Sequence, residues 1–555
     1  MVRATFSGFN TALSALQANQ KRLDITGQNL SNMNTAGYTR QQLEASSLNY
    51  TNPVSHYSNG NETAVGFGVS MDRVSQIRDP YLDIQYRSQS ADCSYTNRLQ
   101  TALNSLSKVL DETTISGIRQ AFDDVQSTLT SMQDPAKVSD PIYESELRTK
   151  MQSVCNLFNQ ASRQITQAEQ NEFQRLTGEG SSEQGDVQKI NDILRQIGDL
   201  NVQIKRNQVA GHPSLELQDE RNLLLDELSG YIPVETRYYK DDAHSGNNAY
   251  DYDANGAVIG KKDWPDDLEV SMNYIDAQGK SQKLILVNGS DLGADGLTKN
   301  YGQLSVLNRD HQPAASVSDP ANISIRFEKA PSYKGNGQAA TDVYAELKGI
   351  HFEGGSLQAS LDMLQKKGTG NVINGSVDDV RGYQYYSEKL DQLADTFAKS
   401  MNASNNGNNH KDQNLLSNST DDSTNNITAG NIGISKGWTS GTIHISTDGT
   451  NRTDTILDMI AAMKDTKKLN GKTFADYMNN LSTQLASDSS SNQTALKTGT
   501  TVLNSIQDSR DSLSGVSLDE EATNMMAYVS AYNAASRLMT ALDEVLNTLI
   551  SNTGA

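Results

Sequence analysis

No run of 18 or more apolar residues occurs in the 555-residue sequence, so nothing in it reads as a bilayer-spanning helix. The amino terminus has no basic stretch followed by an apolar core, so no Sec-type signal peptide is read there. Cys93 and Cys155 are the only cysteines, too few for a disulfide framework, and the sequence leaves open whether they pair. The seven histidines are scattered singly, and no GxxxxGK(S/T), CxxC or HExxH occurs. Positive charge is in deficit: 47 Lys and Arg against 67 Asp and Glu leave a net charge of −20. Phosphate backbones and anionic lipid repel such a chain, so neither nucleic acid nor membrane is expected as a partner.

Proline is absent after Pro331, and five of the ten prolines (Pro233, Pro265, Pro313, Pro320, Pro331) fall in 231–350. Proline breaks helix interiors, so both ends are free to be long helices and the middle is not. Apolar periodicity agrees. Phe6, Phe9, Leu13, Leu16, Leu23 and Leu30 follow alternating steps of three and four, with Gln20 and Gly27 as polar or small interruptions. So do Leu518, Met525, Tyr528, Tyr532, Ala535, Met539, Leu542, Leu546 and Leu549, with Glu521 breaking the stripe. Such alternation over four heptads predicts a coiled-coil seam. Charge favours pairing of the two ends: residues 1–50 are basic in balance and 516–555 acidic.

Between the ends, stripes at Tyr95–Leu110, Ile115–Met132, Leu147–Ile165, Ile190–Ile204 and Tyr386–Phe397, with Leu503 and Ile506, predict a bundle of long helices. Period-two alternation at 268–274 and 323–327, and an apolar run at 284–287, predict a small β domain. The Asn-rich stretch 402–431 reads as a polar surface loop, and Thr442–Ile445 as one short strand. The expected fold is mainly α, an α+β multidomain chain. A terminal coiled coil joins 1–50 to 516–555. A long-helix bundle joins 51–230 to 351–515, with 402–450 inside its second half. The β domain is inserted at 231–350.

Candidate chemistry is thin. Asp251, Asp253, Asn255 and Gly256 imitate half a calcium loop, but its twelfth position is Lys262 rather than a bidentate carboxylate. Asp519, Glu520 and Glu521 fit a helix N-terminus, with Ser517 and Glu520 at capping-box spacing. No catalytic, cofactor or metal site is expected, and the chain does not read as an enzyme.

The segment 26–41, TGQNLSNMNTAGYTRQ, is a helix stop: Asn29, Asn32 and Asn34 leave helices readily, Gly37 suits a left-handed C-cap, and Tyr38 supplies an anchor. Residues Gln28 to Asn32 and Asn34 to Tyr38 closely resemble the amino-terminal signature of bacterial flagellar rod, hook and hook-associated proteins. The continuation Thr39-Arg40-Gln41 is similar to the hook–filament junction branch of that family. So are Ser514 to Glu521 with Tyr528 and Tyr532, the run Leu217 to Leu228, and, more weakly, Ile432 to Ser435 with Trp438. Glu220 departs from the family's usual Gln.

The resemblance implies an extracellular structural protein, exported unfolded through the flagellar type III apparatus and placed at the hook–filament junction. It implies a ring of copies of itself, one per protofilament, beside hook protein and a second junction protein. A cytoplasmic export chaperone is expected on the C-terminal helix. The expected assembly interface comprises Phe6, Phe9, Leu13, Leu16, Leu23, Asn29, Leu30, Asn32, Asn34, Thr35, Gly37 and Tyr38. On the C-terminal helix it comprises Leu518, Met525, Tyr528, Tyr532, Met539, Leu542, Leu546 and Leu549. Within the family, a hook or distal rod protein is the rival reading; outside it, a secreted helical surface adhesin.

Overall fold

The computed structural model describes residues 7–48, 68–110, 117–138, 140–178, 182–210, 212–240, 250–252, 258–261, 266–275, 280–289, 299–307, 323–328, 330, 344–347, 351–373, 376–407, 411–446 and 453–553. Phe6, Ile115 and the half calcium loop from Asp253 to Gly256 lie outside them.

Thirteen helices occur among the described residues: α1 Ser7–Ser31, α2 Pro80–Leu110, α3 Ile118–Ser131, α4 Pro135–Val138, α5 Pro141–Thr177, α6 Asp186–Val209, α7 Leu215–Tyr231, α8 Ser356–Gln365, α9 Tyr383–Asn406, α10 Lys436–Ser440, α11 Asp454–Lys464, α12 Phe474–Ser514 and α13 Leu518–Thr553. Their starts follow local chemistry. Asp140 accepts from Ile142 N ahead of Pro141 and opens α5, which ends on left-handed Gly178. Thr473 accepts from Asp476 N and opens α12. The stripes read from sequence become the bundle core. Phe122 of α3 packs on Phe158 of α5, Phe397 of α9 and Phe474 of α12, with ring centroids 5.2–5.9 Å apart. All four rings are buried. Arg98 of α2 and Glu172 of α5 form an ion pair inside the bundle, with Nε donating at 2.8 Å. Cys93 and Cys155 are both buried and free.

The β insertion is observed. β6 (Asp266–Ile275) pairs antiparallel with β3 (Glu235–Lys240), β7 (Ser281–Asn288) and the short β11 (His351–Phe352). A second sheet has β9 (Ser324–Glu328) between β8 (Gln303–Leu307) and β10 (Tyr344–Leu347). A hairpin of β4 (Tyr250–Tyr252) and β5 (Val258–Lys261) flanks the half calcium loop. The insertion leans on α6. Asn201 Nδ2 donates to the carbonyls of Leu268 and Gly289, and Asn191 Nδ2 donates to Leu304 O. The chain is thus mainly α with small antiparallel sheets.

Three expectations need correction. First, a boundary at residue 50 cuts a hairpin. β1 (Gln41–Ser47) and β2 (Val69–Gln76) pair antiparallel and lie against α1, with Val69 N donating to Ser14 Oγ at 3.2 Å. Strand pairing joins 41–47 to 69–76, whatever the helical pattern around them.

Second, the Asn-rich stretch is not a surface loop throughout. Asn402 and Asn405 are buried. Asn402 Oδ1 accepts from the amides of Leu415 and Leu416 while its Nδ2 donates to Leu416 O. Asn405 serves Ser446 N, Gln413 O and His444 O in the same way. An amide side chain donates and accepts, so it satisfies a buried irregular backbone. These bonds support the ladder of β14 (Leu416–Asn418) and β15 (Ile432–Ile434).

Third, 442–445 forms no strand. Thr442 N and Ile443 N bond to Gly437 O, and His444 O is taken by Asn405, so the backbone is satisfied without a ladder. A short two-stranded pair of β12 (Val372–Ile373) and β13 (Ser376–Val377) completes the described strands.

Candidate assembly interface

α1 and α13 run alongside each other over most of their length. Gly8 faces Leu542 so closely that a Cβ on the glycine would lie 3.3 Å from Leu542 Cδ1. Further along, the Arg22 guanidinium lies 5.7 Å from the Tyr528 ring centroid. On α13 the predicted stripe is the inward line. Glu521 and Ala535 are buried, and Met525, Tyr528, Tyr532, Met539, Leu542 and Leu546 are half-buried. Leu518 is half exposed, at 52%. The side chain of Leu549 lies outside the described residues.

α1 is turned differently from its large-residue stripe. Its buried line is Ala12, Ala18, Asn19, Ile25, Thr26 and Asn29. Phe9, Leu16, Leu23 and Leu30 are half-buried flanks, and Leu13 is 46% exposed. Small residues let α1 approach both α13 and the β1–β2 hairpin, so the bulky side chains are displaced to the rim of the contact.

Residues 29–41 form a compact turn. Asn29 Oδ1 accepts from the Tyr38 hydroxyl at 2.9 Å and Gln41 N at 3.0 Å, while Asn29 Nδ2 donates to Gln41 O at 2.9 Å. Thr35 Oγ1 donates to Asn32 Oδ1, and Asn34 is exposed. Gly37 has φ +77°, a conformation that penalises any side chain, and stands 3.5 Å (as a notional Cβ) from Leu223 of α7. Burial raises the Tyr38 phenol, as do the carboxylates of Glu216, Asp219 and Glu521, so it stays a neutral donor.

The turn is bound to three other segments. Thr39 donates twice to Asp219 of α7, from N at 3.0 Å and from Oγ1 at 2.6 Å. Arg40 N donates to Ser514 O at 2.9 Å. The Arg40 guanidinium meets Glu520 at 2.6 Å and Glu521 at 2.8 Å. The Glu520 carboxylate assigned to a capping box therefore engages Arg40, and Glu521, which interrupts the apolar stripe, is a buried ion-pair partner. Ser517 is exposed at the head of α13, its carbonyl accepting from Glu521 N at 3.0 Å. Beside this lies a second set of charges: Arg78 on Asp83, Arg87 on Asp226, and Arg510 on both Asp83 and Asp226. Sequence reasoning missed these roles. The available signal was Asp219 and Asp226 spaced two helical turns apart in a run otherwise rich in leucine.

Among the described residues, no group of three or more His, Cys, Asp or Glu could hold a metal ion, and no helix is long and apolar enough to cross a membrane.

Comparison with known proteins gives three family matches. Residues 103–416 match a family described as the flagellar hook-associated protein FlgK helical domain. Residues 9–39, covering most of α1 and the turn, match the flagella basal body rod protein family. Residues 509–552, covering α13, match the flagellar basal body rod FlgEFG protein C-terminal family. The chain is 28% identical to flagellar hook-associated protein 1 of Bacillus subtilis, covering 99% of each chain. It is 29% identical to flagellar hook-associated protein 1 of Salmonella typhimurium over 41% of this chain and 38% of that one. A solved structure of the flagellar hook junction protein FlgK from Burkholderia pseudomallei is similar at a TM-score of 0.38 and 20% identity, covering 60% of this chain and 44% of that one.

Proposed function

The chain belongs to the flagellar hook-associated protein FlgK family, and from that membership we propose that it is the structural link between hook and filament, assembling with copies of itself through α1 and α13. The carrying observation is apolar surface left half-buried along the seam, on the flanks of α1 and on the inward line of α13. Phe9, Leu16, Leu23 and Leu30 on one helix, and Met525, Tyr528, Tyr532, Met539, Leu542 and Leu546 on the other, keep apolar surface in water in the lone chain. Neighbouring copies would cover it, and apolar burial is the main driving force of association. The proposed joining unit is 1–78 with 516–555. The helical body is 79–230 with 351–515, including 402–450, and the outer unit is 231–350.

The family match across 103–416 favours the junction over a hook or distal rod protein. The proposed partners are hook protein below and a second junction protein above, in an extracellular ring with one copy per protofilament. A cytoplasmic chaperone would mask α13 during export. No enzymatic activity is proposed.

Gold-labelled antibody on intact flagella tests the placement. Label confined to the hook–filament boundary is expected; label on the cell wall, as for an adhesin, or along the filament overturns the reading. Deleting 516–555 should abolish chaperone binding, and undiminished binding would put that site elsewhere.

A further inference from the structure

Asp219 and Asp226 sit on α7, the helix that leads into the β insertion. Asp226 borders a cavity that the end of the 29–41 turn and the end of α12 also line. Each carboxylate receives groups from segments remote in sequence. Asp219 takes both donors of Thr39, and Arg78 approaches it to 3.8 Å. Asp226 takes Arg87 Nε at 2.8 Å on one oxygen and Arg510 Nη2 at 2.7 Å on the other. Arg510 also stacks on Tyr86, 4.2 Å from its ring centroid. Arg510 lies near the C-terminal end of α12, one turn before the elbow Gly515–Ser517 that turns the chain into α13. Thr39 lies just after the turn that ends α1. Both strands of chain entering the paired terminal helices are therefore tied to one face of one helix.

The same helix holds the base of the β1–β2 hairpin. Gln41 Nε2 donates to Glu216 Oε1 at 3.3 Å, and Gln76 Nε2 donates to Leu215 O at 2.9 Å. Arg40 closes the arrangement by joining the turn to the first residues of α13.

We infer that Asp219 and Asp226 are positioning residues that latch the terminal helix pair to the body and set the direction in which it leaves. The signature around Thr39 and Arg40 then acts within one subunit, while contact between copies falls to the apolar rim. This inference rests on the assembly reading for its purpose but not for its geometry. The carboxylate spacing matters because two anchors two helical turns apart on one face define an axis, whereas one anchor leaves a pivot. Removing both leaves two covalent connections, at 77–79 and 515–517, the single bonds of Gln41 and Gln76 to α7, and that of Arg510 to Asp83; the contact of Arg40 with α13 travels with the pair.

The test is a distance distribution by pulsed electron spin resonance on the full-length chain. Spin labels are placed at exposed Thr101 of α2 and exposed Asn533 of α13; Cys93 and Cys155 are buried and react slowly. The native chain should give one narrow distribution. Asp219→Ala with Asp226→Ala should broaden it at least twofold, with the main thermal transition retained as proof of a folded body. The control Glu220→Ala with Glu227→Ala removes the same charge from exposed positions on the same helix and should leave it narrow. Asp219→Asn alone keeps an acceptor for Thr39 and should also stay narrow. A narrow distribution in the double alanine variant overturns the inference, as does a broad one in the native chain. If the double variant loses the thermal transition, Arg510→Gln decides by the same readout. Failure of the assembly reading is separate, because antibody label away from the junction leaves the distance result intact.

Discussion

Leu542 is half-buried against Gly8 and lies on the inward line of α13, while Asn547 is exposed on the same helix. A carboxylate at 542 keeps some water in the lone chain, so Leu542→Asp should leave the main thermal transition in place. In the assembled ring the same charge loses its water without a partner, at a cost of several kcal/mol per subunit. Filament protein should leak into the medium and hooks stay bare, scored by electron microscopy, whereas Asn547→Asp should assemble normally. Complete filaments on Leu542→Asp cells would show that the helix pair is not the joining surface. Asp378 offers a pH-dependent case. Its burial alone would raise the carboxyl, but the Thr369 hydroxyl and the amides of Lys367, Gly368 and Thr369 outweigh that and hold it below its ordinary value. The folded chain therefore binds fewer protons here than the unfolded one. The stabilisation is complete above the ordinary carboxylate value of about 3.9 and is lost as pH falls through the lower folded value. Amide exchange at 367–369, corrected for intrinsic rates, should accelerate below about pH 4, and the acid step should vanish in Asp378→Asn.

Among the elements, α2 and α5 share a pair that apolar patterning does not reveal. Arg98 and Glu172 are both buried, and Arg98 Nε also reaches Ser360 of α8 at 3.3 Å. Glu172→Ala strands the guanidinium, which should cost about 3–5 kcal/mol and lower the thermal midpoint followed by circular dichroism. Arg98→Met with Glu172→Met should recover most of that loss, because a well-packed apolar pair is about as stable as a buried ion pair. A double methionine variant no more stable than Glu172→Ala would mean that Arg98 contributes through Ser360 and not through Glu172 alone. The helices themselves were legible from their stripes, since period and capping are local. Their length was less so: α2 begins at Pro80, fifteen residues before the stripe at Tyr95, because its first turns face charged residues rather than a core.

At the scale of the molecule, stability is unevenly spread. The bundle is closed by four packed phenylalanine rings, whereas among the described residues the outer reach of the α1–α13 pair packs mainly on its partner helix and the hairpin. Hydrogen exchange on the monomer should therefore be fast in 7–25 and 532–553 and slow in α2, α5 and α6. Residues 37–41 and the first turn of α13 should fall between, because Asp219 and Arg40 tie them down. Uniform protection to both ends would contradict this.

Long helices at both ends, a β insertion where proline gathers, and an inward line on α13 all follow from the order of residues along one segment. Each is a local periodicity, and burial of an apolar face is decided by spacing alone. The buried face of α1 is different. Its bulky stripe is displaced to the rim because the β1–β2 hairpin claims a second side of the helix, and small residues permit the closer approach. The pairing of Arg40 with Glu520 and Glu521, of Thr39 with Asp219, and of Arg510 with Asp226 joins residues 180 to 481 positions apart. The sequence shows those charges but not their partners. An ion pair depends on a distance of a few ångströms, and only the packed helices set that distance.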